Sequence, residues 1–197
     1  MATIGKFIND ASMTKKLPRI VMIHGNGGSS GEGCWFPWVK SSLEEQGFSV
    51  LNPTFPDNVE AKAAIWLSYM EKELGIDEQT IIIGHSSGAV AALRYAESHD
   101  IYGSILVGAC YTDLGEKSEA ISGYYNAPWQ WEKIRKNQQW IVQFASSDDP
   151  FIPVQEARHI HQNVHGEYHE YTDRAHFGYP QEMLEFPEIT DAIMRKV

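Results

Sequence analysis

The sequence predicts an α/β fold with a mostly parallel sheet and helices on both faces. Short β-branched apolar runs alternate with segments of helical period along the chain, the pattern of βαβ units. The strand-like runs are apolar at successive positions rather than at every second one, as expected for strands covered on both sides. The 197 residues suffice for one domain with a full hydrophobic core and are too few for two comfortable ones.

Residues 1–18 are expected to be a flexible leader, and they lack the apolar stretch of a secretory signal. Residues 19–23 (Arg-Ile-Val-Met-Ile) form the first predicted strand. It empties into a glycine-rich loop over residues 24–33. Trp35, Trp38, Val39 and Leu43 recur at helical spacing ahead of Gly47, predicting a helix over 35–46. A strand over 48–51 and a helix over 59–74 follow. Residues 80–83 are the clearest buried strand, and the Ala-rich stretch 87–98 is a helix. Residues 102–107 and 140–144 are strands, 154–164 a helix and 167–171 a strand. A last helix is expected over 181–196, broken or kinked at Pro187. Residues 111–139 are longer than a simple crossover requires. They carry Tyr124, Tyr125, Trp129 and Trp131, which suit either aromatic packing of a crossover helix or a small cap over a ligand site.

Charge excludes some function classes. A formal net charge of −10 with no Lys/Arg block argues against nucleic acid and against anionic membrane surfaces. No stretch approaches the roughly 20 apolar residues of a membrane span. Two cysteines, Cys34 and Cys110, make no disulfide framework and are expected as free thiols of an intracellular protein, cytoplasmic or both cytoplasmic and nuclear.

Gly84-His85-Ser86-Ser87-Gly88 matches Gly-x-Ser-x-Gly, and so does Gly27-Gly28-Ser29-Ser30-Gly31. A nucleophile elbow needs a strand running into the motif and a helix leaving it at once, so that a sharp turn lifts the hydroxyl off the sheet. Only the Ser86 copy has both. A serine hydroxyl needs a general base to take its proton, and the base needs a carboxylate to fix its tautomer. In the α/β-hydrolase fold the order is Ser, Asp or Glu, then His. Asp149, in the polar turn after strand 140–144, is the expected acid, with Asp148 as the alternative. His176, in the polar turn after strand 167–171, is the expected base, ahead of His159, His161, His165 and His169. His161 and His165 stand four apart on a helix, but no His-Glu-x-x-His pattern accompanies them, so no metal is expected. The oxyanion donors are expected to be the backbone N–H groups of Ser87 and Asn26, the second from the loop after the first strand. No cofactor is called for: Gly25-x-Gly27-x-x-Ser30 lacks the third glycine of a dinucleotide fingerprint, and no P-loop pattern occurs.

Further blocks carry a family resemblance. Thr80 to Ala89, Arg94-Tyr95-Ala96-Glu97, Pro128-Trp-Gln-Trp-Glu-Lys-Ile134, Val142-Gln-Phe144 and Asp148-Asp149-Pro150-Phe151 resemble the retinoblastoma-binding protein 9 family of small serine hydrolases. Gly25-Asn-Gly-Gly28 and Ile65-Trp-Leu67 agree. The resemblance implies Ser86, Asp149 and His176 as the triad, and hydrolysis of small amino-acid esters or amides. It departs at the Leu-x-Cys-x-Glu motif through which the vertebrate protein binds retinoblastoma-type pocket proteins. The stretch here is Leu74-Gly-Ile76-Asp-Glu78, with Ile76 in place of the Cys, so that partner is not expected. The alternative reading is a protein-interaction module on a hydrolase fold.

Overall fold

The apolar runs become strands because each has a hydrophobic layer on both sides. The computed structural model describes residues 16–197; the leader expected over 1–18 lies almost wholly outside them. In chain order the elements are β1 (Arg19–Ile23), α1 (Phe36–Glu45), β2 (Val50–Leu51), α2 (Ala63–Lys72), β3 (Thr80–His85), α3 (Ser87–Ala96), β4 (Gly103–Val107), α4 (Lys117–Ser122), α5 (Trp131–Lys136), β5 (Ile141–Ser146), α6 (Val154–Val164), β6 (Glu167–Tyr171) and α7 (Pro187–Met194). The six strands form one sheet in the order β2-β1-β3-β4-β5-β6, and every pairing is parallel.

Alternate residues of each strand serve opposite faces. Val21, Ile23, Ile82 and Leu106 pack with Trp66 and Met70 of α2, the Ala-rich α3, and Ile134 and Ile160 of α5 and α6. Ile20, Met22, Ile81, Ile83, Ile105 and Val107 pack on the other side with Val39 and Leu43 of α1 and Ile189 and Ile193 of α7. The α/β class with helices on both faces therefore holds. Among the described residues no helix is long and apolar enough to cross a membrane.

Several segments differ from expectation, among them the strand expected over 48–51, which is only Val50–Leu51. The helix expected from residue 59 starts at Ala63, because Asp57 and Ala61 adopt left-handed backbone (φ 52° and 51°) in a turn closed by the Ala61 N–H on the Asp57 carbonyl at 2.7 Å. The last helix spans only Pro187–Met194. Pro187 opens it, in the first turn where a missing N–H costs nothing, instead of kinking a longer one. Residues 111–139 supply two short helices, α4 and α5, rather than one crossover helix.

The strand order locates a crevice. From β1 the chain moves outward to β2, and from β3 it moves the opposite way to β4. The loops leaving β1 and β3 therefore diverge, and a cleft opens between their carboxyl ends, where open α/β sheets bind ligands.

Candidate active site

Ser86 stands at that switch point. It joins β3 to α3 with φ 54° and ψ −122°, a conformation that costs an L-residue of the order of 1–3 kcal/mol. The turn is held by the Ser86 N–H on the Val107 carbonyl (2.9 Å) and by the Ser86 carbonyl accepting from Ala89 and Val90. Its sharpness requires glycine on either side: a Cβ on Gly84 would stand 2.6 Å from the Ala89 nitrogen, and one on Gly88 2.6 Å from the His24 carbonyl oxygen.

His176 and Asp149 come from loops after β6 and β5. His176 Nδ1 lies 2.6 Å from Asp149 Oδ2, with both side chains under 10% exposed (8% and 3%). The other Asp149 oxygen accepts the N–H groups of Phe151 and Ile152 at 2.9 and 3.0 Å. A carboxylate so held is an acceptor, so Nδ1 carries the ring proton and Nε2 is left basic. Asp148, the alternative acid, does something else. Its Oδ1 takes the Ser146 hydroxyl at 2.5 Å and the Ala175 N–H at 3.0 Å, pinning the loop before His176 to the end of β5. The Ser146 hydrogen bond holds the Asp148 carboxyl below its ordinary range.

His85 braces His176 from below. Its Nε2 donates to the His176 carbonyl at 3.0 Å, and the rings are 4.7 Å apart. Burial, aided by the neighbouring His176, pushes its pKa well down, so it is a neutral support rather than a second base.

These groups share a cavity of about 490 Å³. Ser86, Ser87, His85, His176, Gly25 and Asn26 line its floor, with Leu114, Pro150, Phe151, Ile152 and Tyr179 among its walls. Glu116 and Glu119 also line it, and among the described residues no Lys or Arg does. The stretch ahead of α4 and α4 itself thus wall the cavity. The aromatic half of residues 111–139 packs instead: Trp129 stacks on Trp131 and under the Arg94 guanidinium at 3.5 Å. The segment thus divides: its first half lines the cavity and its second half packs its aromatics, without forming one crossover helix.

Among the described residues, neither the Ser87 nor the Asn26 N–H has an acceptor within the protein. Both are free to receive a ligand oxygen. The Asn26 side chain donates to Glu119 Oε1 at 2.7 Å, a partner 93 positions away that no local pattern could announce. Ser29, the decoy serine, donates its hydroxyl to the Asn26 carbonyl at 2.8 Å and serves the turn.

The remaining candidates are elsewhere. His161 stacks on Tyr168, His159 on Tyr111 and His169 on Phe144, while His165 caps α6 with left-handed backbone. No group of three or more metal-ligating side chains occurs among the described residues. Cys34 and Cys110 are free. Leu74 and Ile76 are buried in the core.

Residues 20–195 match the family model described as serine hydrolase. The chain belongs to the serine hydrolase family. Within that family it is 48% identical over 161 residues to the rat protein "Serine hydrolase RBBP9", covering 81% of this chain and 87% of the rat one. This serine hydrolase is accordingly an enzyme of the hydrolase class. Its fold is shared with the ydeN gene product of Bacillus subtilis (23% identity, TM-score 0.80, covering 91% of this chain and 98% of that one). It is shared also with Est1E from Butyrivibrio proteoclasticus (15% identity, TM-score 0.68, covering 91% and 86%). The fold of this serine hydrolase is thus a minimal α/β-hydrolase one.

Proposed function

We propose that this serine hydrolase cleaves small carboxylic esters or amides, aminoacyl ones included, through a Ser86–His176–Asp149 triad and an acyl-enzyme. The observation that carries the reading is the buried 2.6 Å His176–Asp149 hydrogen bond opening on the same cavity as a strained Ser86. With Nδ1 engaged by Asp149, Nε2 of His176 takes the Ser86 proton as the hydroxyl attacks the carbonyl carbon. The tetrahedral oxyanion forms toward the Ser87 and Asn26 N–H groups, where losing one donor typically costs about 2.7–4 kcal/mol of transition-state stabilisation. His176 then protonates the leaving group. Water, activated by the same ring, releases the acid and restores Ser86.

Cavity and charge narrow the substrate. About 490 Å³ fits a small acyl compound. A wall with Glu116 and Glu119 and, among the described residues, without Lys or Arg favours a neutral or amine-bearing substrate over an anionic one.

A fluorophosphonate probe is expected to label Ser86. Ser86→Ala should abolish both labelling and turnover of p-nitrophenyl and aminoacyl esters. Unchanged turnover by the purified variant would overturn the reading.

A further inference from the structure

We infer that His24 is a positioning residue of the oxyanion hole: its imidazole aims the Asn26 N–H at the reacting carbonyl oxygen. The inference rests on the reading of the Asn26 N–H as an oxyanion donor.

The bonding of His24 admits one protonation state. The Phe55 N–H points at Nε2 from 2.8 Å, and a backbone N–H can only donate. Nε2 is therefore an acceptor and carries no proton. Nδ1 lies 2.7 Å from the Gly25 carbonyl oxygen, which can only accept, so Nδ1 bears the hydrogen. Both bonds are satisfied by a single neutral tautomer. The ring is 1% exposed, set edge-on between Phe55 and Trp66 at 5.7 and 5.4 Å, and burial lowers its affinity for a second proton.

The carbonyl it grips belongs to the peptide bond whose other end is the Asn26 N–H. That peptide is trans, the one cis bond among the described residues being Tyr179–Pro180. In a trans peptide C=O and N–H point in opposite directions along one rigid plane. Pulling the Gly25 oxygen toward His24, which is absent from the cavity lining, turns the Asn26 N–H toward the cavity. The peptide also passes directly against the nucleophile: a Cβ on Gly25 would stand 3.2 Å from Ser86 Cβ and 3.7 Å from Ser86 Oγ. Without the His24 bond the plane is tied only beyond its Asn26 end, by the Asn26 amide on Glu119 and the Ser29 hydroxyl on the Asn26 carbonyl, and glycine at 25 leaves its other end able to turn. A donor that swings stabilises the ground-state carbonyl and the oxyanion alike poorly, and the loss is greater for the oxyanion, whose demand on donor geometry is stricter.

The test uses the full-length enzyme with two near-isosteric substitutions. The amide of Asn overlays Nδ1 and keeps a donor for the Gly25 oxygen. The amide of Gln reaches the Nε2 position, keeps the Phe55 partner and loses the Gly25 one. For His24→Gln, kcat on a p-nitrophenyl ester and affinity for a trifluoromethyl ketone analogue should fall together by about tenfold or more, with KM nearly unchanged. His24→Asn should fall clearly less, although its melting temperature drops as much. Equal losses in the two variants, tracking melting temperature, would reduce His24 to a packing residue and overturn the inference. Asn26→Pro, which deletes the N–H itself, read against Asn26→Ala, which loses only the amide on Glu119, separates the two layers. If it leaves analogue affinity intact, the oxyanion reading beneath the inference fails. If it abolishes that affinity while His24→Gln does not, only the role of His24 fails. Wild-type protein supplies a measurement free of folding effects: nitrogen NMR of labelled imidazoles should show His24 as the Nδ1–H tautomer at neutral pH, and an Nε2–H or doubly protonated ring would contradict it.

Discussion

At Gly108, in the turn after β4, two constraints coincide. Its φ is 55°, and a Cβ there would lie 3.1 Å from His176 Cε1 and 3.2 Å from Nδ1. Gly108→Ala therefore incurs a left-handed backbone cost of about 1–2 kcal/mol and also crowds the imidazole that Asp149 holds. A misplacement of 1 Å can cost a reaction on the order of 10²-fold, so displacement by a few tenths of an ångström should cut kcat several-fold at a temperature where the variant is fully folded. A fall in melting temperature with kcat preserved would show that the ring accommodates the methyl. Asp148 and Asp149 give the complementary lesson at this scale. The sequence places both in the turn after a buried strand, and only side-chain direction separates the acceptor on His176 from the one that ties Ala175 down. That Ser86 and His176 share a cavity and that Asp149 meets His176 was legible because the strand ends leave few places for them. His24 was visible only as a loop residue, because its meaning depends on the partners of both ring nitrogens.

Among the elements, α4 is the least legible and the most consequential for the site. Its six residues, Lys117–Ser122, show no apolar stripe that marks them as a cavity wall. What fixes α4 over the loop after β1 is Glu119, which takes the Asn26 amide at 2.7 Å through one oxygen and the Tyr125 hydroxyl at 3.4 Å through the other. Glu119→Ala should release Asn26 and lower kcat by severalfold, whereas Glu119→Gln keeps an acceptor and should retain most of it, each bond contributing about 1 kcal/mol. If Glu119→Gln instead raised KM for amine-bearing esters alone, Glu119 would contact the substrate rather than hold the loop. The Pro-Trp-Gln-Trp block was conspicuous in the sequence, yet its reason lies on another element. Arg94 of α3 donates to the carbonyls of Tyr124 and Ala127, both at 2.7 Å, pairs with Glu97 and lies over Trp129. The helix that Ser86 opens thus anchors the aromatic segment near its end. Spacing could not reveal this, since the two stretches are about thirty residues apart.

The described residues build one parallel sheet with two edges, and each edge strand carries its own feature against pairing with another chain. At one side β2 is only two residues long. At the other, β6 (Glu-Tyr-His-Glu-Tyr) carries charge along its length, which also explains why its apolar signal was the weakest of the predicted strands. Glu167 meets Lys196 at 2.9 Å and Arg195 and His169 at 2.8 Å, fastening the end of the chain to the sheet edge. The Lys196 ammonium is the largest cause holding the Glu167 carboxyl at about 2, against an ordinary 4.5. Glu170, paired chiefly with Arg158, is likewise held at about 2. Since the folded state binds these two protons more weakly than the unfolded chain, their stabilisation is complete above about pH 4.5. It is withdrawn as pH falls toward about 2. Both carboxylates are solvent-accessible, so screening keeps the contribution modest and sensitive to salt. In urea unfolding between pH 7 and pH 2.5, Glu167→Gln/Glu170→Gln should be somewhat less stable than wild type at neutral pH and converge on it in acid. The gap at neutral pH should narrow as salt is raised. A constant gap across the whole pH range would assign the loss to packing of the edge strand instead of to charge.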